Sequence, residues 1–274
     1  LPPEIMDNLH VYKGQSWADS IQIRHLLSHT SGIPDYFEEK PANGPGIMEL
    51  AVQQPDRFWT PQETIQWAKD NLKPHFPPGN GYFYTDTGYQ LLGLIIENVT
   101  GTPMHVSLHE LIFKPLGMDH SYQLFYSEPT LKSSYPVTEM YLGQDEVSQI
   151  KSLSIDWAGG GVISNTADLC RFMTALINNE LVSAATFEQW TDWVKFGRGM
   201  YYGYGLVQLK FHELMFLLPS KLDSWGNWGA TSTYMFYNPA NDVIIVGAFN
   251  QSEFLRKQVQ FMIKVLNIMS KLES

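Results

Sequence analysis

Cysteine is nearly missing: Cys170 stands alone in 274 residues, which excludes an intrachain disulfide and any thiolate metal cluster. Among Leu169, Phe172 and Met173, it is expected to be a small buried hydrophobe. Basic residues are scarce as well, 18 Lys and Arg against 28 Asp and Glu, for a net charge of −10. A chain this acidic, with no Lys/Arg-rich patch along it, repels phosphate backbones, so no nucleic-acid partner is expected. No apolar run approaches the roughly 18 residues of a membrane span, and no charged-then-apolar leader opens the chain. G-x-S-x-G and G-x-G-x-x-G are both absent, which leaves α/β-hydrolase and dinucleotide-binding readings without support. No cofactor and no metal are expected. His25 and His29 are four apart and could share an ion on one helical face, but no Glu follows His25 as in H-E-x-x-H, so both read as structural histidines.

What is present is a globular composition. Hydrophobic residues make up 44% and charged residues 17%, and eight Trp, fourteen Tyr and fifteen Phe supply a broad core and rings enough to wall a binding site. A short helix is expected over 23–29, stopped by Gly32 and Pro34, followed by a surface excursion over 34–58 rich in Pro, Gly and Asn. Thr60-Pro61-Gln62-Glu63 is a capping box that opens a helix to about Asn71. Leu92, Ile95, Ile96 and Val99 recur at helical spacing up to Gly101. Leu169, Phe172, Met173, Leu176 and Ile177 share a face behind Thr166 as cap. From about 202 the pattern turns to strands, over 202–209, 213–218, 233–237 and 243–250, with Asn238–Asp242 as a turn. A closing helix carries Leu255, Val259, Met262, Ile263 and Leu266 on one stripe. The fold class is α+β: mostly helical over 20–200, then an antiparallel sheet and closing helix over 201–274.

Four ordered segments carry a specific signal. They are Arg24–Ile33 (RHLLSHTSGI); Pro78-Gly79 with Tyr84-Thr85-Asp86-Thr87-Gly88-Tyr89-Gln90-Leu91-Leu92-Gly93; Ala158–Ser164 (AGGGVIS) ahead of Asp168; and Gly203-Tyr204-Gly205-Leu206 followed by Trp225–Thr231 (WGNWGAT). Together they resemble the serine β-lactamase and penicillin-binding-protein family, with its class C β-lactamase, D-alanyl-D-alanine carboxypeptidase and esterase relatives, from about residue 20 to the end. The resemblance implies one β-lactamase-like domain over 1–274, an antiparallel sheet flanked by helices with a mostly helical sub-lobe. It implies acyl transfer: a Ser in S-x-x-K attacks a carbonyl with its Lys taking part in proton removal, a Tyr-x-Asn motif lines the site, and a Lys/His-Thr/Ser-Gly motif lies on an edge strand.

Tyr84-Thr85-Asp86 occupies the second position, so Tyr84 and Asp86 are the candidate catalytic pair. A tyrosine hydroxyl titrates near 10 and acts as a base only where cations favour phenolate. Asp in place of Asn removes an amide donor and could hold the motif lysine protonated by charge pairing. The alternative casts Tyr84 as a wall residue and Asp86 as a turn former. Asn227, Trp228, Gly229 and Ala230 fall at the third motif and are the candidate substrate-binding residues. Asn227 brings no charge where a cation or His is usual, and Trp228 fills space where a small hydroxyl is usual. An uncharged ester or amide suits this better than a β-lactam, although a Gly-rich strand with a buried Trp would read the same way.

The first motif is missing. Ser148-Gln149-Ile150-Lys151 is the only S-x-x-K, and it lies in a polar loop far from the family position. The nucleophile is therefore expected upstream of Leu1, the domain N-terminally incomplete and lacking its first strands and serine helix, and the chain alone inactive. Two functions remain: a serine hydrolase forming an acyl-enzyme on an ester, amide or peptide, or a non-catalytic relative that binds. A small-molecule or peptide substrate is the expected partner, and the resemblance implies a periplasmic, extracellular or cell-envelope location.

Overall fold

A computed structural model describes residues 1–272. The chain divides into two compact units, each assembled from separated segments: 1–115, 121–132 and 149–163 form the first, and 116–120, 133–148 and 164–274 form the second.

The first unit is helical. Helix α1 (Ile23–Leu27) is short because His29 takes a left-handed φ of 55° two residues past its end. Helix α2 (Pro61–Asn71) begins as expected: Thr60 Oγ1 accepts from Glu63 N–H while the Glu63 carboxylate accepts from Thr60 N–H. Helix α3 (Asp86–Thr100) is capped by Thr85, whose hydroxyl accepts from Gly88 N–H, and ends at Gly101 with φ 68°. Ile5, Leu9, Leu26, Ile33, Ile65, Leu91, Leu94 and Trp157 form one core cluster, and Tyr36, Ile47, Trp59, Ala68 and Ile155 a second. The buried face of α3 differs from the expected stripe: Leu91 and Leu94 are inside while Val99 is 78% exposed. Apolar residues surround most of this helix, so periodicity alone could not choose its face. The excursion over 34–58 is also more than surface. Pro34, Asp35 and Tyr36 are buried, and Ile47–Gln53 forms a helix on the second cluster.

The second unit carries a six-stranded antiparallel sheet: β1 (Val194–Gly197), β2 (Met200–Tyr202), β3 (Val207–Leu209), β4 (Ser224–Trp228), β5 (Thr233–Asn238) and β6 (Val243–Ala248), neighbours in sequence being neighbours in space. The strand expected over 213–218 does not form. Helix Phe211–Leu214 and a turn closed by Leu218 N–H on Met215 C=O take its place, because no sheet edge is offered to this segment between β3 and β4. Helix α4 (Thr166–Ile177) packs on β5 and β6, and its cap is Asn165 rather than Thr166, the Asn165 side-chain Oδ1 accepting from Asp168 N–H. Cys170 faces outward on α4 and is exposed, against expectation, while Met173 and Leu176 bury the inner face. Helix α5 (Leu255–Leu272) buries Gln258, Met262, Leu266 and Ser270 at i, i+4 intervals, leaving Leu255 38% exposed. The α+β class, with an antiparallel sheet and flanking helices, holds.

Candidate active site

Tyr84 and Asp86 meet at the N-terminus of α3. Thr85 is fully buried and pinned three ways: its N–H donates to His29 Nδ1 (3.1 Å), its hydroxyl donates to Pro34 C=O (3.0 Å), and the same oxygen caps α3. With Thr85 fixed, its two neighbours project predictably. The Tyr84 hydroxyl donates to Asp86 Oδ1 at 3.0 Å, and the Tyr84 ring lies over His29 with centroids 4.2 Å apart. Tyr84 is 40% exposed whereas Asp86 is 6% exposed, so the tyrosine borders solvent while its partner is buried.

His29 and His25 take structural roles. A donor at Nδ1 requires that nitrogen of His29 to be unprotonated, and burial lowers its pKa to about 3. His25 Nδ1 accepts from Gln22 N–H and closes the start of α1. Because α1 stops at Leu27, the two rings do not share a helical face, which removes the basis of a shared metal.

Around Asp86 lie two carboxylates that the sequence did not single out. Asp35 Oδ1 accepts from Asp86 N–H (2.7 Å) and its Oδ2 from Glu38 N–H (2.8 Å). Asp156 Oδ2 accepts from Gly161 N–H (3.1 Å). Burial pushes Asp35 up to about 6 and Asp156 to about 7. Burial, and then the charges of Asp35 and Asp156, hold Asp86 well above the carboxylate range. The Gly159-Gly160-Gly161 segment is explained here. A Cβ at Gly159 would stand 3.2 Å from Asp156 Oδ1 and 3.3 Å from Asp86 Oδ1, and one at Gly160 would stand 2.5 Å from Asp156 Oδ2. The three glycines thus let the backbone wrap the acids. Asp35 and Asp156 left a faint trace in the sequence, one beside Pro34 and the other just ahead of Ala158–Ser164. Among the described residues no group of three His, Cys, Asp or Glu is arranged to hold a metal ion.

The third-motif residues belong to the second unit. Gly226 sits where β4 is tightest: a Cβ there would come within 2.0 Å of Met235 C=O. β4 is paired with β5 through Trp228 but with β3 only through Gly226, so it is an internal strand whose last two residues alone have an edge. The Asn227 side chain bridges that gap, its Nδ2 donating to Gly205 C=O (3.0 Å) and its Oδ1 accepting from Trp228 N–H (2.8 Å). Trp228 is half-buried with its ring 5.8 Å from Phe236. Gly229 opens the turn to β5, donating to Thr233 C=O, and Ala230 is exposed on it. Ser148 is 4% exposed and its hydroxyl donates to the Glu146 carboxylate, so it is held by an acid rather than poised beside a base.

Comparison with known proteins identifies the family. The Beta-lactamase family profile matches residues 4–260. The chain is 31% identical over 228 residues to penicillin-binding protein 4* of Bacillus subtilis, covering 78% of this chain and 48% of that protein. It is 24% identical over 247 residues to an N-acetylmuramyl-L-alanine amidase of the same organism, covering 81% and 54%. It therefore spans about half the length of these curated relatives. A D-stereospecific amidohydrolase from Streptomyces superposes with a TM-score of 0.67 at 26% identity, covering 88% of this chain and 71% of that one. The chain belongs to the Beta-lactamase family.

Proposed function

We propose that this protein is a serine hydrolase that works through an acyl-enzyme on an ester, amide or peptide. The single observation that carries this is the hydroxyl of the partly exposed Tyr84, hydrogen-bonded to the buried Asp86, in a chain whose relatives include an amidase and an amidohydrolase. In this reading Tyr84 exchanges a proton at the reacting centre, and Asp86 sets when its hydroxyl is free to do so. The Asn227 side chain is committed to Gly205 and to its own strand, which supports a substrate role for the backbone of Trp228, Gly229 and Ala230 rather than for an amide contact. The uncharged strand end favours substrates without a carboxylate at that position. The names of the relatives, a penicillin-binding protein and a muramyl amidase, support a cell-envelope location.

Two experiments test the reading. A fluorophosphonate probe applied to the protein made from the gene's whole reading frame should label a serine other than Ser148 stoichiometrically. No labelling would instead favour the binding-module alternative. Tyr84→Phe should lower kcat by about a hundredfold with KM little changed; unchanged turnover would remove Tyr84 from the mechanism.

A further inference from the structure

Met215, Phe216 and Leu217 are three consecutive large apolar residues with exposures of 55%, 82% and 78%. A run of this kind at a loop tip is unfavourable in water unless something covers it. The segment is not a frayed end. Its roots, Phe211 and Leu222, are both fully buried. Its near side is tied to the β1–β2 turn, where Arg198 Nε donates to Glu213 C=O (2.6 Å) and Lys210 N–H donates to Gly199 C=O (2.8 Å). Gly199 is needed there: it takes a φ of 65°, and a Cβ would stand 2.7 Å from Lys210 C=O. The fold therefore holds the apolar tip outward.

The charge around this tip is opposite to that of the chain. Residues 192–223 contain Lys195, Arg198, Lys210 and Lys221 against Asp192, Glu213 and Asp223, four minus three for a local charge of +1 in a chain of −10. These bases are too far apart in sequence to read as a patch; the hairpin and the following helix gather them. Lys195 and Lys210 stand 4.0 and 3.6 Å from the Glu213 carboxylate, placing both beside Arg198, and the neighbouring Asp223 pairs with His212. An apolar tip collared by cations matches an anionic bilayer surface, where rings and aliphatic chains enter the headgroup boundary and Lys or Arg meet lipid phosphates.

We propose that the Met215–Leu217 tip is a peripheral membrane-docking loop that inserts into anionic lipid surfaces. Insertion of such a tip is peripheral attachment; among the described residues no helix is long and apolar enough to cross a membrane. The test is flotation of the full chain with phosphatidylcholine vesicles that contain or lack phosphatidylglycerol. The chain should float with the anionic vesicles and not with the neutral ones, and added salt should weaken the association. The double variant Phe216→Ser/Leu217→Ser should lose about tenfold or more of the bound fraction. Arg198→Glu should weaken binding to anionic vesicles, while Val99→Ser, at an exposed apolar site elsewhere, should leave it unchanged. Circular dichroism should show all three variants folded, since each altered side chain is exposed. Equal binding to both vesicle types, or full binding by the double variant, would overturn the proposal. So would a dimer seen by sedimentation velocity that the double variant abolishes without any vesicle binding, because the tip would then seat a second copy of the chain. Hydrolase activity does not enter any arm, so this test stands apart from the proposed function.

Discussion

At the scale of single residues, Asp86 is the point on which the chemistry turns. Its Oδ1 accepts a hydrogen bond from the Tyr84 hydroxyl, oxygen to oxygen 3.0 Å, and an O–H so held is not a base until that bond is released. Once Asp86 itself ionises, which burial defers to well above the usual carboxylate range, its negative charge also disfavours phenolate. Asp86→Asn removes that charge and leaves the side chain's shape almost unaltered. If Tyr84 exchanges a proton during turnover, the limb of the pH–rate profile that reports it should move to lower pH by about one unit or more. A profile that keeps its limbs while the rate changes would make Asp86 a structural residue. The sequence brought Tyr84 and Asp86 forward because they are two apart inside a recognisable string. Asp35 and Asp156 stayed hidden because nothing local ties them to Asp86: Asp35 lies 51 residues from it in sequence and joins it through a backbone N–H. Cys170 was misjudged for a related reason, since its apolar neighbours describe the helix but not which side of it faces the sheet.

At the scale of elements, what was legible followed from local chemistry. The α2 capping box lies within four consecutive residues, and the structure reproduces it bond for bond. Thr60→Ala should therefore cost about 1 kcal/mol of unfolding free energy in urea titration, with no change in the m-value. Elements fixed by distant partners were less legible. The face of α3 is set by Gly93, where a Cβ would stand 2.6 Å from both Ala158 Cβ and the Trp157 ring. This contact joins α3 to the segment that wraps the acids, so helix, tryptophan and glycines are one packed arrangement. Gly93→Ala removes a helix-weakening glycine, a gain of about 1 kcal/mol taken alone. The overpacking opposes it at about 1–3 kcal/mol, and with so close an approach the clash should win. The variant should unfold at lower urea than the parent, and a rise in stability would mean that α3 shifts away from Trp157. The segment 213–218 shows the same limit from the other side. Its β-rich composition suggested a strand, whereas its apolar residues are turned outward at a loop tip.

At the scale of the whole molecule, the buried ionisable groups oppose one another across the neutral pH range. Asp35, Asp86 and Asp156 are raised by burial, so the folded chain binds protons that the unfolded chain has released. The stability associated with their neutral forms is present below about pH 4. It is lost as pH rises through about 6 for Asp35 and about 7 for Asp156. His29 works in the other sense. With its pKa lowered to about 3, it contributes stability above its ordinary value of 6.5 and loses it as pH falls toward 3. The net profile of the parent chain mixes both signs, so a variant difference is the cleaner measurement. Asp156→Asn keeps an oxygen to accept from Gly161 N–H and deletes the titration. Its unfolding free energy minus that of the parent should increase from pH 5 to pH 8, by an amount on the order of 2 kcal/mol. The difference is read from urea midpoints at constant ionic strength, so that the overall charge of −10 is screened alike in both proteins. A difference that does not change with pH would mean that Asp156 stays in one protonation state throughout this range, and the three acids would then have to be treated as fixed charges in any account of how Asp86 holds Tyr84.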